Sequence, residues 1–373
     1  MPLSEISPPD VRSTITERLL AWGQGQRPDL PWRRDRSPYR VLVAEVMLQQ
    51  TQTATVIPYF ERFLARFPTV ESLAAAPLAD VLKQWEGMGY YARARNLHKA
   101  AQIIVAEHDG QVPDDPAALR RLPGIGRYTA AAILSLAFGQ DAPALDGNMR
   151  RVLCRLFAIE ENPRLPAVQR HLWDLARALL PPGKAGPFNE ALMDLGATVC
   201  TPQGPRCLVC PLLGLCEAQR QGLQENIPIK TNRRPLPHYD VTAAVIEEDG
   251  GGRLLVTQRP LHKLLGGLWE FPGGKREEGE TLEECLAREL REELGIEVAV
   301  GEKIVTFPHA YTHFRITLHV FRCRIVYGTP QPLEVADVRW ASVDDLRELA
   351  FARTDRRILE AYITFETETV TSH

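Results

Sequence analysis

Four cysteines crowd into seventeen residues, Cys200, Cys207, Cys210 and Cys216, with six, two and five residues between them. Sulfurs this close in sequence meet at one point only on tight loops, and Pro205, Pro211 and Gly214 mark the segment as loop. The pattern reads as a four-thiolate metal site, which suits a tetrahedral structural zinc or an iron–sulfur cluster. Zinc commonly takes two CxxC pairs, whereas here only Cys207 and Cys210 are so spaced, and the uneven run favours a [4Fe–4S] cluster. Cys154, Cys285 and Cys323 stand in apolar surroundings and read as small core residues. No disulfide framework is implied, which fits a reducing cytosol.

At 373 residues the chain is long enough for two or three cores. From Val11 to about Gln221 apolar residues recur at helical spacing, in Val41–Thr53, Ala79–Trp85, Ala92–His108, Tyr128–Phe138, Met149–Phe157 and Val168–Leu180. A polar, proline-bearing stretch follows, and beyond it Val241–Glu247, Arg253–Gln258 and Arg315–Ile325 read as strands, with helices over Leu282–Leu294 and Val343–Ala350. The expected organisation is therefore an all-α domain over 1–224, a linker over 225–238 and an α+β domain over 239–373. Residues 1–230 carry 26 basic and 23 acidic groups, residues 231–373 carry 18 and 24, and the net charge of −3 argues against indiscriminate binding of polyanions. No apolar run reaches membrane-spanning length, and the start lacks the parts of a signal peptide. A soluble, cytoplasmic protein is expected, associated with no membrane and monomeric.

Between two helical segments lies Leu122-Pro123-Gly124-Ile125-Gly126-Arg127-Tyr128, where the glycines leave backbone amides at a helix start open to phosphate oxygens. Taken alone it is a short turn. With Leu145-Asp146-Gly147-Asn148 twenty residues later and the cysteine run behind it, the region resembles the helix-hairpin-helix DNA glycosylases. The runs Ala44-Glu45-Val46-Met47-Leu48-Gln49-Gln50-Thr51, Trp85-Glu86-Gly87-Met88-Gly89-Tyr90-Tyr91 and Phe188-Asn189-Glu190-Ala191 narrow the resemblance to adenine DNA glycosylases of the MutY type, densely over residues 11–222. It implies an all-α helix-hairpin-helix core with an iron–sulfur cluster loop at 200–216.

Breaking an adenine–deoxyribose bond needs a proton for the departing base and negative charge beside an oxocarbenium-like sugar, so two carboxyls of different pKa suit it. Glu45 sits in the apolar run Val41–Leu48, which disfavours its charged form and makes it a candidate acid. Read without the family, it is a buried carboxylate paired with Arg33 or Arg40. Asp146 precedes a helical segment and by itself reads as an N-cap; the resemblance makes it the group that stabilises the sugar cation. By analogy with retaining glycosidases, Glu45 would then activate water. The resemblance assigns Tyr128 and Asn148 to orienting this pair. Strand-cutting relatives carry lysine where this chain has Tyr128, and a phenol forms no Schiff base, so a monofunctional enzyme is implied.

Extruding a base leaves a gap to be filled, and the resemblance gives that task to Gln50 and Tyr90, with Gly124 and Gly126 on the backbone of the DNA. It places Leu30, Trp32, Arg33 and Glu190 around the extruded adenine, although Leu30 and Trp32 equally suit a core. Arg34, Arg36, Arg93, Arg95 and Lys99 are candidates for phosphate contacts.

In the second domain Gly274, Glu280 and Arg288-Glu289-Leu290-Arg291-Glu292-Glu293-Leu294-Gly295 satisfy the fixed positions of a Nudix box. Thr281 with Glu284 forms a capping box, and Glu289, Glu292 and Glu293 share a helix face that can hold Mg²⁺. The framing Leu268–Lys275 resembles the MutT nucleotide hydrolases. Three readings stay open: a box kept as scaffold, a live diphosphohydrolase acting on oxidised nucleotides of the 8-oxo-dGTP type, or both. Tyr311-Thr312-His313 resembles the triplet with which relatives contact 8-oxoguanine; His309 is an alternative reader and a packed strand-entry turn a competing account.

The expected function is removal of adenine mispaired with 8-oxoguanine in duplex DNA. The rivals are a thymine-mismatch glycosylase, a nucleotide-pool hydrolase tethered to DNA, and a lesion-binding module without catalysis.

Overall fold

The computed structural model describes residues 9–25, 28–229 and 235–371. The chain divides into two compact units, residues 1–74 with 99–233 and residues 75–98 with 234–373. Of the expected linker, residues 230–234 lie outside the described residues.

Helices run in the order α1 (Pro9–Gly25), α2 (Pro31–Arg34), α3 (Pro38–Leu48), α4 (Thr53–Arg66), α5 (Val70–Ala75), α6 (Leu78–Trp85), α7 (Ala92–Glu107), α8 (Pro116–Arg121), α9 (Arg127–Leu136), α10 (Gly147–Leu156), α11 (Pro166–Leu179), α12 (Ala185–Thr198) and α13 (Glu217–Arg220). Proline opens α2, α3, α8 and α11, at a position where its missing N–H has no helical partner anyway. Asp115 and Asp146 cap α8 and α10 by accepting from Ala118 N and Met149 N, each at 2.7 Å.

The continuous helix expected over Val41–Thr53 is broken. It ends at Leu48, and a new one begins at Thr53. Between them Gln50 has φ 59°, and the Gln49 amide donates to Gly124 O and Thr129 Oγ1 at 3.3 and 3.2 Å. The polar run Gln49-Gln50-Thr51-Gln52 has no apolar side chain to bury, so its amides bond elsewhere instead of extending the helix.

The core of the first unit joins Ile15 and Leu19 of α1, Met149, Val152 and Leu153 of α10, Leu172 and Leu175 of α11, and Phe188, Leu192 and Leu195 of α12. Two glycines let these helices close. A Cβ on Gly23 would meet Ala191 Cβ at 2.7 Å, and one on Gly196 would meet Asn148 Cβ at 2.7 Å with its backbone at 3.1 Å.

The second unit contains β1 (His238–Ile246), β2 (Arg253–Gln258), β3 (Trp269–Glu270), α14 (Leu282–Leu294), β4 (Glu297–Ala310), β5 (Arg315–Tyr327), β6 (Asp337–Ser342), α15 (Val343–Glu348) and α16 (Arg353–Thr371). Its sheets are ordered β1-β5-β4 and β3-β2-β6, with β1 parallel to β5 and the other pairs antiparallel. Thr242–Ile246 is buried throughout because this half of β1 has a core on each face. On one face Leu286, Leu290 and Leu294 form the apolar stripe of α14; on the other Trp269, Phe271, Phe307 and Phe351 pack together. The capping box is present, with Glu284 N donating to Thr281 Oγ1 at 3.1 Å and Thr281 N to Glu284 Oε2 at 2.8 Å. The all-α part thus precedes an α+β part, as expected. Among the described residues no helix is long and apolar enough to cross a membrane.

Because the backbone of α10 blocks any retreat, Gly196→Ala is expected to destabilise the protein by about 1–3 kcal/mol. Gly25, whose Cβ would meet nothing within 4 Å, is the control: Gly25→Ala should shift the thermal midpoint little. Differential scanning calorimetry of both variants checks this.

Candidate active site

Helix α3 is buried over every residue from Val41 to Met47, so Glu45, which it carries, is 4 % exposed. A carboxyl taken from water favours its neutral form. Burial is the main cause that pushes Glu45 up to about 7. The Tyr128 hydroxyl, from the first turn of α9, draws it down by hydrogen bonding; Asp146 and Glu190 raise it by repulsion, and Arg33 lowers it. Glu45 Oε2 has no hydrogen-bond partner. These couplings bring Glu45, Tyr128, Asp146, Glu190 and Arg33 around one point from α2, α3, α9, α10 and α12.

Asp146 serves as the N-cap of α10, where the helix dipole favours its charge. Burial raises its carboxyl, opposed by the Met149 amide and then by Arg151. Capping fixes Oδ1 on Met149 N. The approach to Asp146 is set by Asn189, which is fully buried: Ala144 N donates to its Oδ1 at 3.4 Å, and its Nδ2 donates to Ser135 Oγ and Ala142 O, both at 2.9 Å. Nothing in the spacing of residues announced that task.

Asn148 accepts from Arg151 Nη2 at 2.9 Å, and the same guanidinium donates to Gly196 O and Cys200 O at 2.7 and 2.8 Å. One turn on, Arg155 donates to Cys200 Sγ at 3.3 Å, Thr201 O at 2.7 Å and Ile227 O at 2.8 Å. Two arginines therefore tie the helix of Asp146 to the start of the cysteine loop. Sequence reading missed both.

Arg33 is bidentate with Asp194, 2.9 Å at each contact, and lies 3.4 Å from Glu190. Arg36, read from sequence as a phosphate contact, is instead 2.6 Å from Glu190. Two further such candidates are also engaged: Arg93 is buried over the Trp85 and Tyr90 rings, and Arg95 donates to Gly266 O. Arg34 pairs with Asp29, while Lys99 is exposed. Trp32 packs edge-on against Phe60, with centroids 5.4 Å apart, and Leu30 is half-buried at the start of α2.

Gly124, at φ 79°, makes the turn between α8 and α9, and Gly126 is the N-cap of α9. Gln50 and Tyr90 both hold positive φ, 59° and 49°, uncommon for residues with a Cβ and frequent at functional sites. Within the second unit the Tyr90 hydroxyl is 2.7 Å from Thr312 Oγ1, so two groups chosen separately from sequence meet. Thr312 and His313 are exposed; Tyr311 is half-buried, its ring 4.7 Å from both Phe314 and His309.

Cys200, Cys207, Cys210 and Cys216 are free thiols lining one pocket, joined by a 3₁₀ turn at Cys207–Val209. Burial raises Cys207, Cys216 and Cys210, the last to about 11. Among the described residues no three His, Cys, Asp or Glu side chains are arranged as a finished metal site. Four sulfurs around a shared space, without a disulfide among them, nevertheless form a donor set that fits a thiolate-bound metal or cluster. In α14, Glu289 and Glu293 line a cavity, but Glu292 lies outward beside Arg288, at 3.1 Å. Arg288 also binds Glu280 and Glu289, and a Cβ on Gly274 would collide with the Glu289 carboxylate at 2.2 Å.

Residues 43–178 match the HhH-GPD superfamily base excision DNA repair proteins and residues 242–361 the NUDIX domain. The helical part is that of a DNA glycosylase. Among solved structures, a thermostable thymine-DNA glycosylase is 32 % identical with TM-score 0.53, covering 57 % of this chain and 98 % of that one. Adenine DNA glycosylases of Rattus norvegicus, Homo sapiens and Buchnera aphidicola are 37, 36 and 32 % identical, over 94, 92 and 93 % of this chain and 78, 73 and 97 % of theirs. The chain belongs to the adenine DNA glycosylase family, and it is an enzyme of base excision repair.

The raised carboxyl has a thermodynamic signature. Glu45 has an ordinary value of 4.5 and about 7 when folded, so between these values the native state binds more protons than the unfolded chain. The stabilising contribution is complete below 4.5 and is lost as pH rises through about 7, roughly 3 kcal/mol in all. Glu45→Gln should therefore raise the thermal midpoint at pH 8 and give much less at pH 4.5, as melting curves across that window would register.

Proposed function

We propose that this enzyme hydrolyses the N-glycosidic bond of adenine mispaired with 8-oxoguanine in duplex DNA and leaves an abasic site. The observation that carries this reading is the buried Glu45 carboxyl, protonated near neutral pH, beside the capped Asp146. Glu45 gives its proton to a ring nitrogen of the extruded adenine, which turns a poor leaving group into a neutral one. Asp146, ionised, then offsets the positive charge that develops on the sugar. Arg33 and Glu190, held by Asp194 and Arg36, supply a donor and an acceptor suited to the edge of adenine. Tyr128 hydrogen-bonds the acid and offers no amine, so the strand stays uncut. The family resemblance assigns Gln50 and, in the second unit, Tyr90 each to insertion into the duplex, and Tyr311, Thr312 and His313 to reading 8-oxoguanine.

The four cysteines would hold a [4Fe–4S] cluster, whose contribution is to fix the loop that Arg151 and Arg155 join to the catalytic helix. The helical domain is assigned to residues 1–224, the linker to 225–238 and the Nudix-like domain to 239–373.

Single-turnover release of adenine from a duplex carrying an adenine:8-oxoguanine pair tests the function. Glu45→Gln should lower the rate at least about 100-fold with DNA binding retained, and the parent rate should fall as pH rises through about 7. Borohydride should trap no covalent adduct. A faster release of thymine from a guanine:thymine pair would instead favour the rival glycosylase.

For the cluster, purified protein should contain iron and absorb in the visible range. Cys210→Ser should lower both the iron content and the affinity for DNA; zinc in place of iron would overturn the assignment.

A further inference from the structure

Tyr90 stands at the tip of a strained turn in the second unit. Gly87, Gly89 and Tyr90 hold φ of 91°, 77° and 49°, and a left-handed tyrosine persists only where its surroundings over-determine it. Tyr90 itself is 38 % exposed, whereas Trp85, Met88 and Tyr91 around it are buried. The turn binds itself first: Trp85 Nε1 and Arg93 Nη2 donate to Gly89 O at 3.1 and 3.2 Å, and Gly87 N donates to the Tyr91 hydroxyl at 3.0 Å. Two side chains then fasten it to the stretch Leu346–Phe351. The Tyr91 hydroxyl donates onward to Phe351 O at 3.3 Å. Arg356 of α16 grips the Glu86 carboxylate with Nε and Nη2, the latter at 3.2 Å, and donates to Leu346 O and Arg347 O at 2.8 and 3.1 Å and to Leu349 O. Its guanidinium also lies over the Phe351 ring, 4.9 Å from the centroid. The Arg356 and Glu86 side chains are only 21 and 17 % exposed, so solvent screens the pair little and its two-point fork fixes the geometry.

The chemistry of adenine release does not use this pair. What it fixes is the place of the Tyr90 ring relative to Thr312, whose Oγ1 lies 2.7 Å from the Tyr90 hydroxyl. Stacking of an aromatic ring on a base is tolerant of which base it meets. A tyrosine free to shift would therefore stack on guanine and 8-oxoguanine alike, and discrimination needs the ring and the reading turn at one separation. We infer that Arg356 is a positioning residue for Tyr90, and that its ion pair with Glu86 sets the preference for 8-oxoguanine over guanine opposite adenine. This rests on the reading of Tyr90 as an inserting group and adds the pair that holds it. Glu86 and Arg356 are 270 residues apart, and no local pattern announces them.

Single-turnover adenine release by the full-length protein, from duplexes with adenine opposite 8-oxoguanine and opposite guanine, tests the pair. Glu86→Ala leaves Arg356 its carbonyl partners and is the gentler variant. At subsaturating enzyme it should lower the preference for 8-oxoguanine at least about fivefold, with the loss falling on the enzyme concentration needed and not on the saturated rate. Arg356→Lys keeps the charge without the fork and should do the same. In a Tyr90→Ala background Glu86→Ala should add nothing, since it acts through that ring. If Tyr90→Ala lowers the preference and Glu86→Ala does not, or if the two losses multiply, the positioning role is overturned and the insertion reading stands. If Tyr90→Ala keeps the parent preference, the insertion reading fails and the positioning role falls with it.

Discussion

One carboxyl withdrawn from water governs the helical unit. Glu45 lies on a helix enclosed along its central turns, and desolvation outweighs the hydrogen bond from Tyr128 and the attraction of Arg33. Burial moves this acid to about 7 and also raises Asp146, where the Met149 amide and Arg151 oppose the rise. Two carboxyls can divide acid and anion roles only if their surroundings differ in this way. Nearly every other feature of the site keeps those surroundings fixed. Asn189 pins the chain before Asp146, and Asp194 and Arg36 take up the charges of Arg33 and Glu190.

The cysteine loop enters the same arrangement through the backbone. Arg151 spans Asn148, Gly196 and Cys200, and Arg155 reaches Cys200, Thr201 and Ile227 from the next turn. The two guanidiniums lock helix and loop together by hydrogen bonds to carbonyls, which need their partners at fixed positions. Gly196 is part of this fit, since any side chain there would displace Asn148. A change in the loop therefore reaches the helix capped by Asp146 through contacts of under 3 Å on Arg151.

What could be read from the chain was what short-range pattern determines. Helix α14 starts and stops where its capping box and glycine say, and β1 and β2 fall close to their apolar runs. The cysteines stood out by spacing; Glu45 stood out as a buried carboxyl by its apolar context, and only the family resemblance made it a candidate acid. The ion pairs were not, because Arg33–Asp194 joins residues 161 apart and Arg36–Glu190 residues 154 apart. Arg36 looked like a surface charge for the same reason. Strand β4 escaped because its exposure alternates poorly and its pairing with β5 slips at three places. The break after Leu48 was hidden by good helix formers; what ends the helix is a glutamine amide bonded across the turn of α8 and α9.

Helix α3 has one more consequence. A carboxyl carried on so enclosed a segment gives its proton best to what stands directly before it. A proton spent on a departing base leaves with that base, so the next one has to come from the attacking water or from solvent before another turnover.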